Sequence, residues 1–276
     1  MVVDVGASHA SKPDAGDEQR LQRRAWELLH HAQDGDPRLR RQALAGVDPL
    51  LAEVRKTDPT PTMLARLLRV GVLVRDMATD PDHPADVLLD ELVAHAVTHR
   101  LVEYEAGAHA LRGQITLARG RPDSAVESAA AALVALDTAG SSYQRGLALT
   151  DVAILLVHLG LEDSAEPLLE RAHADITAHG APRHRVVSTT NRVHTAVVHG
   201  LGLERAARAG GAAERYRAAA GWAVQGLADW QALTGGHDPA GRLGEEYTAE
   251  LHAALALAEV AGVAPPAPPA DRTGPL

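Results

Sequence analysis

One six-residue phrase occurs twice in this chain, Gly120-Arg121-Pro122-Asp123-Ser124-Ala125 and Gly160-Leu161-Glu162-Asp163-Ser164-Ala165, and the two copies lie 40 residues apart. A unit that recurs at a fixed period of this size buries its apolar face by stacking on its neighbours. The same shift brings Ala132 onto Ala172 and, taken backwards, puts Ala85 under Ala125. Two helices joined by a tight turn approach closely only where the crossing positions carry little side chain. Ala125 and Ala132 share one face two turns apart, Gly113 lies on the preceding helix where it receives them, and Gly120 gives the turn a permissive backbone. The Asp-Ser pair reads as a helix cap. The phrase therefore predicts a helical hairpin as the building block.

Composition agrees with helices. Hydrophobic residues make up 46% of the 276, yet aromatics are 3% and Phe is absent, so the core rests on Ala, Leu and Val. Such packing favours helix over sheet. The β-branched run at 185–190 sits inside helical periodicity and has no hairpin dipeptides, so almost no strand is expected. The net charge of -9 carries no basic stripe, which excludes a surface that gains affinity by displacing nucleic-acid counterions. Without Cys there is no disulfide, thiolate or Cys-bound zinc, and a reducing cytoplasm is the expected compartment. No cationic start with an apolar core and no long apolar run is present, so neither secretion nor membrane insertion is expected.

Along the chain, 1–16 reads as a flexible tail, 17–262 as the helical-repeat domain and 263–276 as a linker or tail built on Pro265-Pro266 and Pro268-Pro269. Leu21, Trp26, Leu28, Leu29 and Ala32 form the first apolar face, stopped by Asp34-Gly35-Asp36-Pro37. Thr57-Asp58-Pro59-Thr60-Pro61 is a break with a Thr cap and a Pro start. Breaks near Asp80-Pro81, His83-Pro84, Gly120, Gly140, Gly160 and Gly180 divide the middle of the chain. Beyond Gly180 the register loosens, because Gly200-Leu201-Gly202 and Gly210-Gly211 interrupt the next pair. A longer helix with Tyr216, Trp222, Leu227 and Trp230 follows, then a glycine-rich loop at 235–241 and a last helix through Tyr247, Leu251 and Leu255, read as a cap.

Gly113, Gly120, Ala125, Ala132 and Leu133, and again Ala153, Gly160, Ala165 and Ala172, resemble the small and apolar positions of tetratricopeptide repeats. The period is longer than that family's usual repeat and its aromatic positions are largely Ala, Leu or His. Long units of this kind are similar to those in bacterial regulatory proteins of the LuxR-type ATPase and peptide-sensor groups. The resemblance implies an all-α, right-handed solenoid of about five hairpins plus a C-terminal capping helix. It also implies a non-catalytic regulatory scaffold in cell signalling, with a protein or peptide partner on the concave face. No cofactor, nucleic-acid partner or membrane partner is expected, and a homodimer is compatible with the scaffold. An alternative comes from Asp271-Arg272-Thr273-Gly274-Pro275-Leu276, which resembles the approach to GGDEF diguanylate cyclase domains and implies the sensory N-terminal region of a signalling enzyme.

The first helix of each pair lines the concave side of such a superhelix, which projects Gln114, Thr150, Ile154, His158, Asn191 and His194 onto the groove. Polar residues on a Val- and Leu-rich face suit a peptide, with apolar contact and a few directional hydrogen bonds. His95 and His99 stand four apart on one helix, a spacing at which two imidazoles reach one metal, with Glu91 or His109 as a third ligand. Imidazoles that serve interhelical hydrogen bonds fit the same pattern, and no metal is expected. The glycine clusters lack the Lys-Ser/Thr that a phosphate loop needs. No nucleophile elbow or isolated carboxylate pair appears, so an enzyme using these histidines ranks last. Trp222 and Trp230 read as closing the end of the stack, or as a partner anchor.

Overall fold

The computed structural model describes residues 15–34, 36–78, 84–180, 188, 189, 192, 193, 195–201, 209–234 and 242–262. Among them the chain is helical with no strand, and none of the described helices is long and apolar enough to cross a membrane. Residues 1–14 of the expected 1–16 tail, the expected 263–276 linker or tail, the breaks at Asp80-Pro81 and His83 and the loop at 235–241 lie outside the described residues. Two compact units divide the chain, Met1–Ala108 and His109–Leu276.

The first unit opens with α1 (Ala15–Gln33), α2 (Pro37–Lys56), α3 (Pro61–Ala78) and α4 (Ala85–Thr98). Each start has a local cause. Asp36 accepts the Arg38 amide at 2.8 Å ahead of Pro37, and the Thr60 hydroxyl accepts the Met63 amide at 3.3 Å ahead of Pro61. Helix α1 packs on α2 and α3, and α3 packs on α4. Their buried faces carry Leu21, Ala25, Leu28 and Ala32 of α1, Val47, Leu50 and Val54 of α2, Leu67 and Leu68 of α3, and Leu89 and Leu92 of α4. Trp26, expected in the first apolar face, is instead 57% exposed. The buried stripe runs through 21, 25, 28 and 32, and residue 26 lies a quarter-turn or so off it. Helix α1 also begins at Ala15, inside the segment expected to be tail.

Helix α5 (Val102–Ala118) spans the boundary, and α6 (Pro122–Asp137), α7 (Tyr143–His158) and α8 (Glu162–His179) follow in the second unit. The repeated phrase folds the same way twice. Gly120 and Gly160 have φ of 73° and 74°, left-handed backbone that an L side chain adopts only under strain. Each closes a Schellman turn: the Gly120 and Arg121 amides donate to Leu117 O and Thr116 O, and those of Gly160 and Leu161 to Val157 O and Leu156 O. Arg100, with φ of 54°, closes the same turn after α4. Ala125, Ala132, Ala165 and Ala172 are all fully buried, as the close-packing argument requires.

The Asp-Ser pair does not cap. Arg121 and Leu161 occupy the N-cap positions without a side-chain hydrogen bond, and Asp123 and Asp163 fall inside the first turn, where their charge complements the helix dipole. True capping appears at α7, where the Ser142 hydroxyl accepts the Arg145 amide at 3.0 Å. Helix α7 packs against α6 and α8 and buries most of its circumference, including Leu149, Val152, Ala153, Leu155 and Leu156.

After Gly180 the structure departs from the expected interruption. Gly200 is helical, within a stretch at 195–201, and gives way to the Tyr216 ring: a Cβ there would lie 2.4 Å from a ring carbon. Gly210 and Gly211 lie inside α9 (Ala209–Thr234), which is followed by α10 (Arg242–Val260). Leu251 and Ala254 of α10 join Ala219 and Ala223 of α9, Val193 and Ala196 in one core, with Trp222 and Leu227 packed against it.

Candidate functional site

Gln114 on α5 and Ile154 on α7 occupy equivalent positions of the 40-residue register, and both are half-buried. The Gln114 side-chain amide donates to the Asp151 carbonyl at 3.2 Å, so one hydrogen bond ties the two helices side by side. His158 lies one turn beyond Ile154 and is exposed. Thr150 is placed elsewhere than the groove: it is 7% exposed, and its hydroxyl is donated to the Gly146 carbonyl at 2.9 Å within its own helix. Asn191 and His194 lie outside the described residues. Gln114, Ile154 and His158 are therefore the part of the projected row that the structure brings together.

His95 and His99 pack with ring centroids 4.5 Å apart and planes tilted by 49°, and His95 Nε2 lies 2.9 Å from the Pro61 carbonyl at the start of α3. Glu91 is held by Arg55 at 2.6 and 2.8 Å. These contacts join helices of the first unit. Among the described residues no group of three His, Cys, Asp or Glu side chains is placed to hold a metal ion.

A second cluster binds α7 to α8. Asp175 is 4% exposed, and its carboxylate accepts from Arg145 Nε at 2.6 Å, from an Arg145 η nitrogen at 2.8 Å and from the Ser141 hydroxyl at 2.6 Å. Burial alone pushes the Asp175 pKa up, but the hydrogen bonds from Arg145 and Ser141 and the charges of Arg145 and His179 outweigh it and hold the carboxyl below its ordinary value. Ser141 Oγ also lies 3.0 Å from His179 Nε2. Ser, His and Asp are triad residue types, but here the carboxylate takes the hydroxyl proton directly instead of orienting the imidazole. A hydroxyl donated to a carboxylate that Arg145 already neutralises is a structural bridge.

No motif in the sequence marks the seam between α8 and the described residues of 188–201. A shift of 40 puts Arg192 on Val152, Thr195 on Leu155 and His199 on Leu159, and puts Glu166 on Val126. Burial keeps this register: Ser188, Thr189, Val193, Thr195 and Ala196 are buried like Ala148, Leu149, Ala153, Leu155 and Leu156. One unit thus carries polar side chains where the preceding unit has apolar ones. They pair along α8. His173 Nδ1 lies 3.2 Å from the Ser188 hydroxyl, His199 Nε2 lies 3.6 Å from Asp163, and Arg215 of α9 donates to Glu166 and lies 3.6 Å from Asp163.

Arg192 stands apart in this seam. Its guanidinium lies over the Trp222 ring, 4.2 Å from the centroid, and it makes no hydrogen bond or ion pair with any described residue; its Nε is shut off from solvent without a partner. Burial pulls its pKa below the ordinary value against the opposing charges of Glu170 and Glu166, and the group stays cationic. Glu166, Arg192, Thr195, His199, Arg215 and Trp222, with Leu169 and Ala196, line a cleft of about 260 Å³ counted with its open mouth, whose interior has room for a single water molecule. The sign that could have located it is the aligned Val152, because an Arg at a position otherwise given to a fully buried Val is costly unless something pairs with it.

No family model matches the sequence, and no curated protein matches it.

Proposed function

We propose that this chain is a non-catalytic, protein- or peptide-binding regulatory scaffold of tetratricopeptide-like hairpins in a right-handed solenoid, its partner lying along the first helices of successive hairpins. The hydrogen bond from Gln114 to the Asp151 carbonyl carries the reading. It sets α5 and α7, the first helices of two hairpins 40 residues apart, next to each other, so that Gln114, Ile154 and His158 form one row. That row offers an apolar contact at Ile154, the second half of the Gln114 amide and an exposed imidazole, the mixture by which a groove fixes an extended or helical segment. The identical turns at Gly120 and Gly160 and the buried alanines after them support a repeat of one hairpin type.

A photo-crosslinking residue placed in turn at 114, 154 and 158, with a control at Val134, which is 73% exposed on α6, tests the reading. One defined protein or peptide attaches at the three groove positions and not at 134, and Ile154→Asp weakens its binding more than about ten-fold, the effect of losing a central apolar anchor. Attachment of the same molecules at 134 as at 154, or none at any of the three, sinks it.

A further inference from the structure

We infer that the cleft between α8, the described residues of 188–201 and α9 is a carboxylate-binding site, in which Arg192, lying over Trp222, donates its η N–H groups to a carboxylate carried by the bound peptide. The inference deepens the scaffold reading and rests on it.

Three observations converge. A guanidinium that is half-buried with no hydrogen bond to any described residue has lost water and gained nothing directional in return, whereas Arg145 in the same unit is fully engaged by Asp175. Its position is already set, because the Trp222 ring, 4.2 Å from the guanidinium carbon, holds the group at the cleft wall, where its η nitrogens supply the fork that matches a carboxylate. The open cleft beside it has an interior the size of one water molecule, which is also the size of one carboxylate oxygen. Thr195, 5% exposed, and His199, 8% exposed, line the same space.

Charge decides which anion fits. Arg215 is already committed to Glu166, and Glu166 and Glu170 both act electrostatically on Arg192. A monoanion replaces Glu170 as the counter-charge of Arg192. A dianion such as phosphate brings a second negative charge beside these two glutamates and is disfavoured. The carboxylate comes from a peptide chain end or from an Asp or Glu side chain, and the test separates the two.

The experiment follows the arginine Nε–H resonances of the full chain, with that of Arg192 assigned from its loss in Arg192→Lys and Arg192→Met. The probes are N-acetyl-Leu-Ala-Leu as the free acid, the same peptide as its amide, N-acetyl-Leu-Asp-Leu amide, and inorganic phosphate. A saturable shift of the Arg192 signal with the free acid assigns the chain end, and one with the Asp peptide assigns the side chain. In either case affinity falls about ten- to a hundred-fold in both Arg192 variants, as loss of a charge-assisted hydrogen bond predicts. Glu170→Gln, which removes the competing carboxylate and leaves Arg192 in place, strengthens binding. No response to either carboxylate at millimolar concentration overturns the inference, as does an equal response to the neutral amide or to phosphate, or weaker binding in Glu170→Gln. A silent Arg192 with crosslinks still formed at 114 and 154 removes the carboxylate site alone; loss of the crosslinks removes the scaffold reading beneath it.

Discussion

Arg145 and Asp175 form a two-point ion pair between α7 and α8, with N–O distances of 2.6 and 2.8 Å and side chains 18% and 5% exposed. The same Arg145 donates to the Ala139 carbonyl at 3.1 Å, so the pair also fastens the 138–142 turn that leads into α7. Removing one member leaves the other buried and uncompensated. Asp175→Asn and Arg145→Met each lower the unfolding free energy by about 3 kcal/mol. Urea unfolding of the full chain measures this, and a loss below about 1 kcal/mol in both variants shows that water replaces the pair.

The pH dependence of that loss has a fixed sign. The folded Asp175 carboxyl titrates below its ordinary value, so the unfolded chain binds this proton first as pH falls. The contribution is fully present above about pH 4, where an unfolded Asp is ionised, and drains away as pH falls through the lower folded value. The stability gap between the parent chain and Asp175→Asn therefore narrows as pH falls below about 4. A gap that widens as pH falls from about 4 contradicts the assignment.

Three Schellman turns differ in one residue. Gly120 and Gly160 hold left-handed backbone with open space around the missing Cβ, so Ala at either position meets strain and no clash. Each costs about 1 kcal/mol. Arg100 holds the same conformation with a side chain, and Arg100→Gly relieves that strain. The greater freedom of glycine in the unfolded chain offsets part of the gain, which leaves about 0.5 kcal/mol of stabilisation. Thermal unfolding should move Tm down for Gly120→Ala and Gly160→Ala and up for Arg100→Gly.

Gly200 shows why the 40-residue register was legible only in part. The sequence aligns it with the turn glycines Gly120 and Gly160, but a glycine serves equally where backbone must bend left-handed and where another group needs the space of a Cβ. At Gly200 the Tyr216 ring takes that space, a contact with a residue sixteen positions away that no local pattern announces. The alanines were legible because close packing recurs with the period. Trp26 was not, because the small Ala25 beside it occupies the buried stripe and the bulky ring faces water. Of the residues projected from the period, Gln114 and Ile154 hold equivalent places on α5 and α7, and His158 is exposed one turn further on. Thr150 is buried, its hydroxyl donating to its own backbone at Gly146. The seam at Arg192 went unread because only alignment with a buried Val152 marks it.

The close approach at Gly200 carries its own test. Gly200→Ala sets a Cβ against the Tyr216 ring, which is 1% exposed and has little room to shift. Overpacking of this kind costs about 1–3 kcal/mol. Tyr216→Leu, which leaves a cavity in the parent chain, makes room for that Cβ, so the double variant is more stable than the sum of the two single losses predicts. Strict additivity shows that the two positions do not touch.

Arg192 and Arg145 provide opposite outcomes for one substitution. Arg145→Met strands a buried carboxylate, whereas Arg192→Met strands nothing among the described residues: it replaces a desolvated cation by an apolar side chain where the preceding unit carries Val152, 0% exposed. The substitution loses the stacking of a cation on Trp222, about 1 kcal/mol, and regains the cost of holding the charge away from water. Without a bound partner the two effects leave Arg192→Met as stable as the parent or up to about 1 kcal/mol more stable. With the carboxylate probe present, the parent gains Tm by mass action and the variant does not. A fall of more than about 2 kcal/mol in the unliganded variant identifies Arg192 as a structural cation held by Glu166 and Glu170.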